Sequence, residues 1–190
     1  TSDEVNLLIN SGGDPSEESS NVSLLAELYP YQKQGLKWLQ DKYSRRLGGI
    51  LADDMGLGKT AQIIALIVDV LSSGRDRRVL VIVPNSLIAN WVNEFQKFSS
   101  GINPFVHWGS ERNGFASQIK DFPVIISTYS TVANDINLFE KLFFDILVCD
   151  EASLLKNPDS QRTICVNRIR AASIFEITGT PFENSMLDLW

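Results

Sequence analysis

Residues 48–60 read GGILADDMGLGKT, an apolar run followed by a glycine-rich turn and then Lys-Thr. This pattern predicts a strand that ends near Ala52 and a helix that begins at about Lys59. The first N–H groups of that helix would point into the turn, with the positive end of the helix dipole behind them. The stretch therefore predicts a loop that binds the phosphates of a nucleoside triphosphate. An ordinary glycine-rich turn is the alternative.

Each residue type in the loop suits a triphosphate. Gly56 and Gly58 let the backbone approach phosphate oxygens closely, since glycine has no side chain. Lys59 can reach the β- and γ-phosphates, and the Thr60 hydroxyl can hold Mg²⁺. The loop departs from the pattern G-x-x-x-x-G-K-[ST] at one place, because Asp53 stands where the first glycine is expected.

Charge is unevenly distributed along the 190 residues. The net charge is −6, and residues 1–23 account for −5 of it, with five acidic and no basic side chains. We therefore expect an acidic, flexible leader over residues 1–23 and one folded domain over residues 24–190. The near-neutral remainder neither supports nor excludes nucleic-acid binding, which needs only a basic patch.

Cysteine spacing and hydropathy give no indication of a metal-binding, disulfide-rich or membrane-spanning protein. Cys149 and Cys165 show neither a metal-ligand spacing nor a disulfide framework. No apolar run approaches the ~20 residues of a membrane span, so no membrane partner is expected. A reducing, intracellular setting is the expectation.

Short apolar runs alternate with helical patterns along the folded part. The predicted strands cover residues 49–52, 79–83, 105–108, 124–127, 146–149 and 174–178. The predicted helices cover residues 59–73, 87–98, 131–142 and 162–172, and another begins at Pro30. Gly74 is expected to cap the end of the helix 59–73. Together they predict an α/β fold, a mainly parallel sheet with helices on both faces. In such sheets, ligands bind at the carboxyl ends of the strands.

Two carboxylates follow the predicted strand 146–149. Asp150 and Glu151 would lie at the same sheet edge as the phosphate loop. Asp150 suits a divalent cation that bridges triphosphate oxygens, since such a cation prefers oxygen ligands. Glu151 can orient and deprotonate the attacking water. Two solvated acids that open a turn are the alternative for an isolated Asp-Glu pair.

Several other polar or aromatic residues are interpreted as structural. His107 lies between apolar neighbours, and Trp91 and Phe95 share one helical stripe, which is typical of a core. The cluster of Arg75, Arg77 and Arg78 precedes a strand, so it lies at the amino ends of the strands. Lys156 follows the Asp-Glu turn, and the pattern leaves open whether it contacts nucleic acid.

Six groups of residues follow one another in a fixed order. They are Tyr31-Gln32 with Gly35 and Trp38-Leu39; residues 52–60; residues 83–87 with Asn90-Trp91 and Glu94-Phe95; residues 127–129; residues 150–153 with 156–158; and residues 178–181 with Glu183-Asn184 and 187–190. Together they resemble the Swi/Snf (Snf-two) ATPases of helicase superfamily two. The resemblance covers about residues 28–190 and implies the first RecA-like lobe, a P-loop NTPase fold.

The resemblance implies a role for each group. The cofactors would be ATP, which Gln32 would select, and Mg²⁺, which Thr60 and Asp150 would hold. Hydrolysis would depend on Lys59, Asp150 and Glu151. The nucleotide-binding loop would comprise Asp54, Met55, Gly56, Leu57, Gly58, Lys59 and Thr60. Asn85, Ser86, Thr128 and Lys156 would contact the phosphate backbone of double-stranded DNA, which positions a duplex without reading its sequence. Thr178, Gly179 and Thr180 would couple the nucleotide site to DNA contacts and lobe closure.

Members of this family move along double-stranded DNA and remodel bound proteins. The resemblance thus implies a DNA-dependent ATPase, a chromatin-remodeller-like translocase whose partners include a second RecA-like lobe and DNA-bound protein complexes. It places the protein in the nucleus of a eukaryote or in the cytoplasm or nucleoid of a bacterium. A strand-separating or RNA-directed helicase and a non-hydrolytic ATP-binding or docking module stay open as alternatives.

Two positions depart from the family pattern. Ser153 stands where histidine is common, and Glu183 where many members have glutamine. Family members also carry a second lobe, whose arginines are worth ~10³–10⁵ in rate in related phosphoryl transfer. We expect no such lobe within the 190 residues, so that the chain binds ATP weakly and hydrolyses it poorly, with little stimulation by DNA.

Overall fold

A six-stranded parallel sheet forms the centre of the computed structural model, which describes residues 22–54, 56–74, 76–110, 112 and 119–179. The strands are β1 (Ser23–Leu24), β2 (Gly49–Leu51), β3 (Val79–Val83), β4 (Ser99–Ser100), β5 (Phe105–His107), β6 (Val124–Thr128), β7 (Phe143–Asp150) and β8 (Arg170–Ile177). The sheet order is β2-β8-β7-β3-β6-β5, and every pair in it is parallel. Strands β1 and β4 form a separate antiparallel ribbon.

Helices connect the strands and cover the sheet. Among the described residues they are α1 (Pro30–Ser44), α2 (Lys59–Ser72), α3 (Ile88–Phe98), α4 (Tyr129–Asn134), α5 (Ile136–Phe139) and α6 (Gln161–Asn167). Two short 3₁₀ turns, Asn85–Leu87 and Ala152–Leu155, follow β3 and β7. No helix in the described ranges has the length and apolar character needed to cross a bilayer.

The core has two halves because side chains alternate across a strand. On β3, Val79, Val81 and Val83 pack in one cluster with α1, α2 and α3. Leu80 and Ile82 pack on the opposite face with residues of α4, α5 and α6. All five side chains of β3 are 0% exposed. The predicted α/β fold with helices on both faces is confirmed, and its continuously apolar strands reflect this double burial.

One helix predicted over residues 131–142 is instead two short helices. Helix α4 ends at Asn134 and α5 begins at Ile136, with a break at Asp135. The Asp135 carboxylate accepts hydrogen bonds from His107 and Arg112, which tie this residue to the end of β5. Tertiary contacts therefore override a continuous helical pattern.

The predicted helix 162–172 and strand 174–178 were also misplaced. Helix α6 ends at Asn167, and β8 begins at Arg170, because residues 170–177 pair with β7 along most of its length. Gly74 does not cap α2, since the helix ends at Ser72, and the φ angle of Gly74 lies outside the left-handed region. The other predicted strands agree with the structure to within a few residues.

The two arginines described at the amino edge hold the start of β7. Arg77 forms an ion pair with Asp145 at 2.5 Å, and the main-chain N–H of Arg78 donates to the other oxygen of the same carboxylate at 2.9 Å. The Arg78 guanidinium donates to the carbonyls of Phe143 and Lys120. This edge is far from the carboxyl ends of the strands, as predicted; Arg75 lies outside the described residues.

His107 lies at the carboxyl end of β5 and is fully buried. Its Nε2 lies 2.8 Å from Asp135 Oδ2, an oxygen that also accepts from Arg112 Nε at 2.7 Å. Burial lowers the pKa of His107, although the hydrogen bond to Asp135 opposes this change. The arrangement is a structural contact between β5 and the α4–α5 break.

Because His107 is the only histidine, its titration can be isolated. The folded protein binds fewer protons than the unfolded chain between the ordinary pKa of ~6.5 and the lower folded value, so the free energy of unfolding should fall as pH falls below about 6.5. We expect His107→Gln to flatten this dependence between about pH 5 and pH 7, measured by urea unfolding. An unchanged slope in the variant would contradict the assignment.

Candidate nucleotide and nucleic-acid site

The predicted phosphate loop connects the end of β2 at Leu51 with the start of α2 at Lys59. Gly58 precedes the helix with φ of 70°, and Gly56 has φ of 85°. Both values lie in the left-handed region, which costs a residue with a side chain roughly 1–2 kcal/mol. A Cβ atom at Gly58 would also collide with Gln32 Nε2. The left-handed φ therefore favours glycine at position 58, and a larger residue there would also displace the Gln32 amide.

Lys59 lies across the inside of this loop. Its ammonium donates hydrogen bonds to the carbonyl of Asp53 at 2.5 Å and to the carbonyl of Asp54 at 3.0 Å. Both partners are neutral carbonyls, so the charge of Lys59 is solvated by the loop itself. The ammonium is thereby held where phosphate oxygens would enter.

Asp53 occupies the position of the missing first glycine without disturbing the loop. Its carboxylate accepts a 3.4 Å hydrogen bond from Nε2 of Gln62, a buried residue one turn into α2. Gln62 also lies against Gly35 of α1, where a Cβ atom would meet its amide oxygen. A buried amide thus stabilises the acidic residue, a role that sequence reasoning missed because Gln62 belongs to no motif.

Gln32 joins the start of α1 to the loop. Its Oε1 accepts from the main-chain N–H of Tyr29 at 3.0 Å, and its Nε2 donates to the carbonyl of Leu57 at 3.3 Å. Gln32 is only 7% exposed. Beside it lies a mainly apolar cleft of about 490 Å³, whose walls include Tyr31, Trp38 and Leu57. Gln32 is therefore part of the architecture of the loop as well as a candidate ligand contact.

Asp150 and Glu151 lie where predicted, at the carboxyl end of β7. Asp150 is 7% exposed; its Oδ2 accepts from Trp91 Nε1 at 2.7 Å, and its Oδ1 accepts from the N–H of Glu151 at 2.9 Å. Burial raises the pKa of Asp150, while these two hydrogen bonds and the charge of Lys59 lower it. Glu151 has φ of 51°, a left-handed conformation in which non-glycine residues store strain, often at functional sites.

A second, polar cavity of about 350 Å³ opens at the same edge, beyond β3 and β6. Its walls include Asn85, Ser86, Thr128, Ser130 and Arg162. The Thr128 hydroxyl is buried and caps α4, since it accepts from the N–H of Thr131 at 3.2 Å. Hydroxyl and amide groups with one guanidinium suit an anionic group such as a phosphodiester.

Comparison with known proteins identifies the family. The model of the SNF2-related domain matches residues 31–190. The chain belongs to the SNF2-related family. It is 35% identical over 189 residues to the mouse SWI/SNF-related matrix-associated actin-dependent regulator of chromatin subfamily A containing DEAD/H box 1, covering 95% of this chain and 18% of that protein. It is 37% identical over 182 residues to an uncharacterized ATP-dependent helicase of Mycoplasma genitalium, covering 92% of this chain and 18% of that protein.

Solved structures agree with this assignment. The SNF2-related domain superposes on the Sulfolobus solfataricus SWI2/SNF2 ATPase core in complex with dsDNA with a TM-score of 0.81 and 33% identity, over 92% of this chain and 36% of that chain. The core domain of the same organism gives a TM-score of 0.77 and 32% identity, over 95% of this chain and 37% of that chain. The predicted RecA-like fold and Swi/Snf family are confirmed. The domain spans 18% of the length of these two curated relatives.

The structure brings most of the predicted site residues of the SNF2-related domain to one edge. Thr178 follows β8, is buried, and donates its N–H to the carbonyl of Leu51 at 3.2 Å; Gly179 follows it. Lys156 is exposed at the end of the turn Ala152–Leu155. Met55 and Thr180 lie outside the described residues, as do residues 1–21 of the predicted leader and Glu183.

Sequence reasoning missed three residues that the fold brings to this edge. Arg162 lines the polar cavity but lies beyond the motif that contains Asp150. Trp91 and Tyr129 contact Asp150 directly, at 2.7 Å each. The signal for Trp91 was present in the sequence, since an indole N–H that is buried usually needs an acceptor.

Two glycines at opposite ends of α2 test the left-handed backbone conformation assigned to Gly58. Gly58→Ala should lower the free energy of unfolding by about 1–2 kcal/mol, because alanine is strained at a left-handed φ, and the collision with Gln32 adds to this cost. Gly74→Ala is the matched control, since its Cβ would meet Arg77 Nε at an ordinary 3.6 Å. It should leave stability unchanged or raise it by about 0.4–1 kcal/mol. Urea unfolding measures both, and equal effects would refute the left-handed assignment.

Proposed function

We propose that the chain is the ATP-binding lobe of an ATP-dependent double-stranded DNA translocase of the chromatin-remodeller type. The observation that carries this proposal is the meeting of the phosphate loop and the Asp150-Glu151 pair at one edge of a parallel sheet, beside a polar cavity. The two relatives named above include an ATP-dependent helicase and a regulator of chromatin. One solved ATPase core with this fold is in complex with dsDNA.

The loop and the carboxylates have complementary roles in hydrolysis. Lys59 exchanges the carbonyls of Asp53 and Asp54 for the β- and γ-phosphates of ATP. Thr60 and Asp150 would hold Mg²⁺, which would neutralise phosphate charge. The described residues contain no group of three or more histidine, cysteine or acidic side chains placed to bind a metal. That finding fits an ion held by phosphates and waters with only one or two protein ligands.

Glu151 and Gln32 complete the nucleotide site. Glu151 orients and deprotonates the water that attacks the γ-phosphate. Gln32 reads the adenine edge with the donor and acceptor positions that its bonds to Tyr29 and Leu57 leave available, since an amide has two of each. The apolar cleft formed by Tyr31 and Trp38 receives the base.

The polar cavity receives the phosphate backbone of one DNA strand. Asn85, Ser86 and Ser130 supply neutral hydrogen-bonding groups, and Arg162 supplies the charge. Thr128 shapes the wall through its cap on α4, and Lys156 extends the cationic surface beyond the turn. Thr178, Gly179 and Thr180 link this surface to the nucleotide site, because Thr178 is hydrogen-bonded to the strand that leads into the phosphate loop.

The domain organisation follows from the same proposal. We infer that residues 24–190 form the lobe and residues 1–23 an acidic leader, whose last residue, Ser23, already pairs in β1. A second RecA-like lobe in the remainder of the protein would supply arginines to the transition state. Partners are double-stranded DNA and the proteins bound to it. The protein acts inside the cell, in the nucleus of a eukaryote or in the cytoplasm or nucleoid of a bacterium.

A nucleotide titration tests the first half of the proposal. The chain should bind a fluorescent ATP analogue in the presence of Mg²⁺, and Lys59→Ala should weaken this binding by about tenfold or more, because a charge-assisted contact to the phosphates is lost. Lys97→Ala is the matched control, since Lys97 is exposed on α3 and its ion pair with Glu94 is long, at 4.0 Å. Turnover should stay slow with duplex DNA. Equal loss in both variants, or rapid DNA-stimulated turnover by residues 1–190, would contradict the proposal.

A DNA titration tests the second half. Arg162→Ala should weaken binding to duplex DNA for all sequences alike, and should reduce the slope of log K against log salt by about 1, as expected for one phosphate contact. Arg45→Ala is the control, since Arg45 lies beyond α1 at the amino edge of the sheet. Fluorescence anisotropy at several salt concentrations measures both. The same slope in Arg162→Ala and wild type would remove Arg162 from the DNA surface.

A further inference from the structure

Trp91 connects the polar cavity to the nucleotide site. It lies on α3, directly after the turn Asn85–Leu87 that forms part of the cavity wall. Its side chain is 0% exposed, and its Nε1 donates to Asp150 Oδ2 at 2.7 Å. The turn and the Asp150 carboxylate at the end of β7 are therefore connected through the first turn of α3 and the Trp91 side chain.

Tyr129 makes a second connection to the same residue. It follows Thr128 at the end of β6 and itself lines the cavity. Its hydroxyl is buried and donates to the main-chain carbonyl of Asp150 at 2.7 Å. Burial raises the pKa of Tyr129, so the hydroxyl keeps its proton and stays a donor.

The strand register explains why two separate segments reach one residue. Val83 at the end of β3 pairs with Thr128 of β6, and Ile82 pairs with Cys149 of β7, the residue before Asp150. The ends of β7, β3 and β6 therefore form one row. Trp91 packs on one face of the sheet and holds the side chain of Asp150, and Tyr129 packs on the other face and holds its backbone. Both the position and the orientation of Asp150 are therefore fixed.

We propose that Trp91 and Tyr129 are positioning residues that couple occupancy of the polar cavity by a DNA phosphate to the orientation of the Asp150 carboxylate. This inference rests on the proposed function, since it assigns Mg²⁺ to Asp150 and DNA to the cavity. The two contacts define the orientation of Asp150 seen in the structure. DNA bound in the cavity would restrict the two segments to the positions that keep this orientation, in which Asp150 would hold Mg²⁺. By thermodynamic reciprocity, Mg²⁺-nucleotide then tightens DNA binding by the same factor.

A purely structural role for the two aromatic residues has different consequences. Phe95, one turn further along α3, is equally buried, has no polar atom in its side chain, and packs in the same cluster as Trp91. Loss of packing would weaken all ligand binding alike. Loss of a hydrogen bond to Asp150 would weaken the Mg²⁺-dependent part alone.

The experiment compares Trp91→Phe and Tyr129→Phe with two matched controls. Trp108→Phe makes the same change at a half-buried tryptophan after β5, and Tyr43→Phe makes it at the opposite edge of the sheet. Binding of a fluorescent ATP analogue is titrated at increasing Mg²⁺ and in EDTA, each with and without a saturating short DNA duplex. Thermal melting of every variant establishes that it is folded.

We expect Trp91→Phe to raise the Mg²⁺ concentration at half-saturation by about tenfold, since a charge-assisted hydrogen bond is lost. Tyr129→Phe should raise it less, because its bond reaches a neutral carbonyl. In wild type, DNA should tighten Mg²⁺-nucleotide binding by about fivefold or more, and both variants should bring this factor towards one. Binding in EDTA and both controls should match wild type.

The other possible results distinguish failure of the proposed function from failure of this inference. No Mg²⁺-dependent nucleotide binding by wild type would overturn the proposed function itself. Three results would overturn this inference alone, provided that wild type binds the nucleotide normally. The first is that both variants keep the Mg²⁺ dependence and the DNA coupling of wild type. The others are a wild-type coupling factor of one, and a loss of nucleotide affinity in the variants that is as large in EDTA as in Mg²⁺. If Trp91→Phe does not fold, Tyr129→Phe decides the question, because it removes a single oxygen atom.

Discussion

Parallel pairing of the six sheet strands is the constraint on which the rest of the molecule depends. Parallel strands all end at one edge, and each return passes over a face of the sheet as a crossover. The crossovers bury both faces, which explains the apolar interior of β3 and β7. The strand ends, by contrast, all meet at one edge of the sheet. The phosphate loop, the turn after β3, the α4 cap and the Asp-Glu pair meet for this topological reason.

The sequence predicted features that depend on local chemistry and missed those that depend on distant partners. An apolar run such as VLVIV and the GKT turn carry their structure within a few residues. The break at Asp135 cannot be read locally, because its cause is His107, 28 residues away. The start of β8 depends on pairing with β7, and its exposed end resembled a helix. In the site, residue types and their order were predictable, but the partner of each side chain was not.

Asp150 shows how the fold balances a buried charge. Desolvation of a carboxylate costs free energy, and burial alone would favour its neutral form. An indole N–H, a main-chain N–H and the nearby ammonium of Lys59 offset part of this cost without forming a tight ion pair. A full ion pair would compete with any cation that approaches. Neutral donors from a rigid core instead hold the carboxylate in place and leave its charge available.

The contacts of Lys59 also bear on which anions the proposed phosphate loop would bind. The ammonium is solvated by two carbonyl dipoles, so an incoming ligand must replace both before it gains anything. A chloride ion or a single carboxylate offers little beyond what it displaces. A polyphosphate offers several charged oxygens at once, together with the N–H groups at the start of α2. Under the proposed function, the loop would therefore favour a triphosphate over singly charged anions, although these are abundant in the cell.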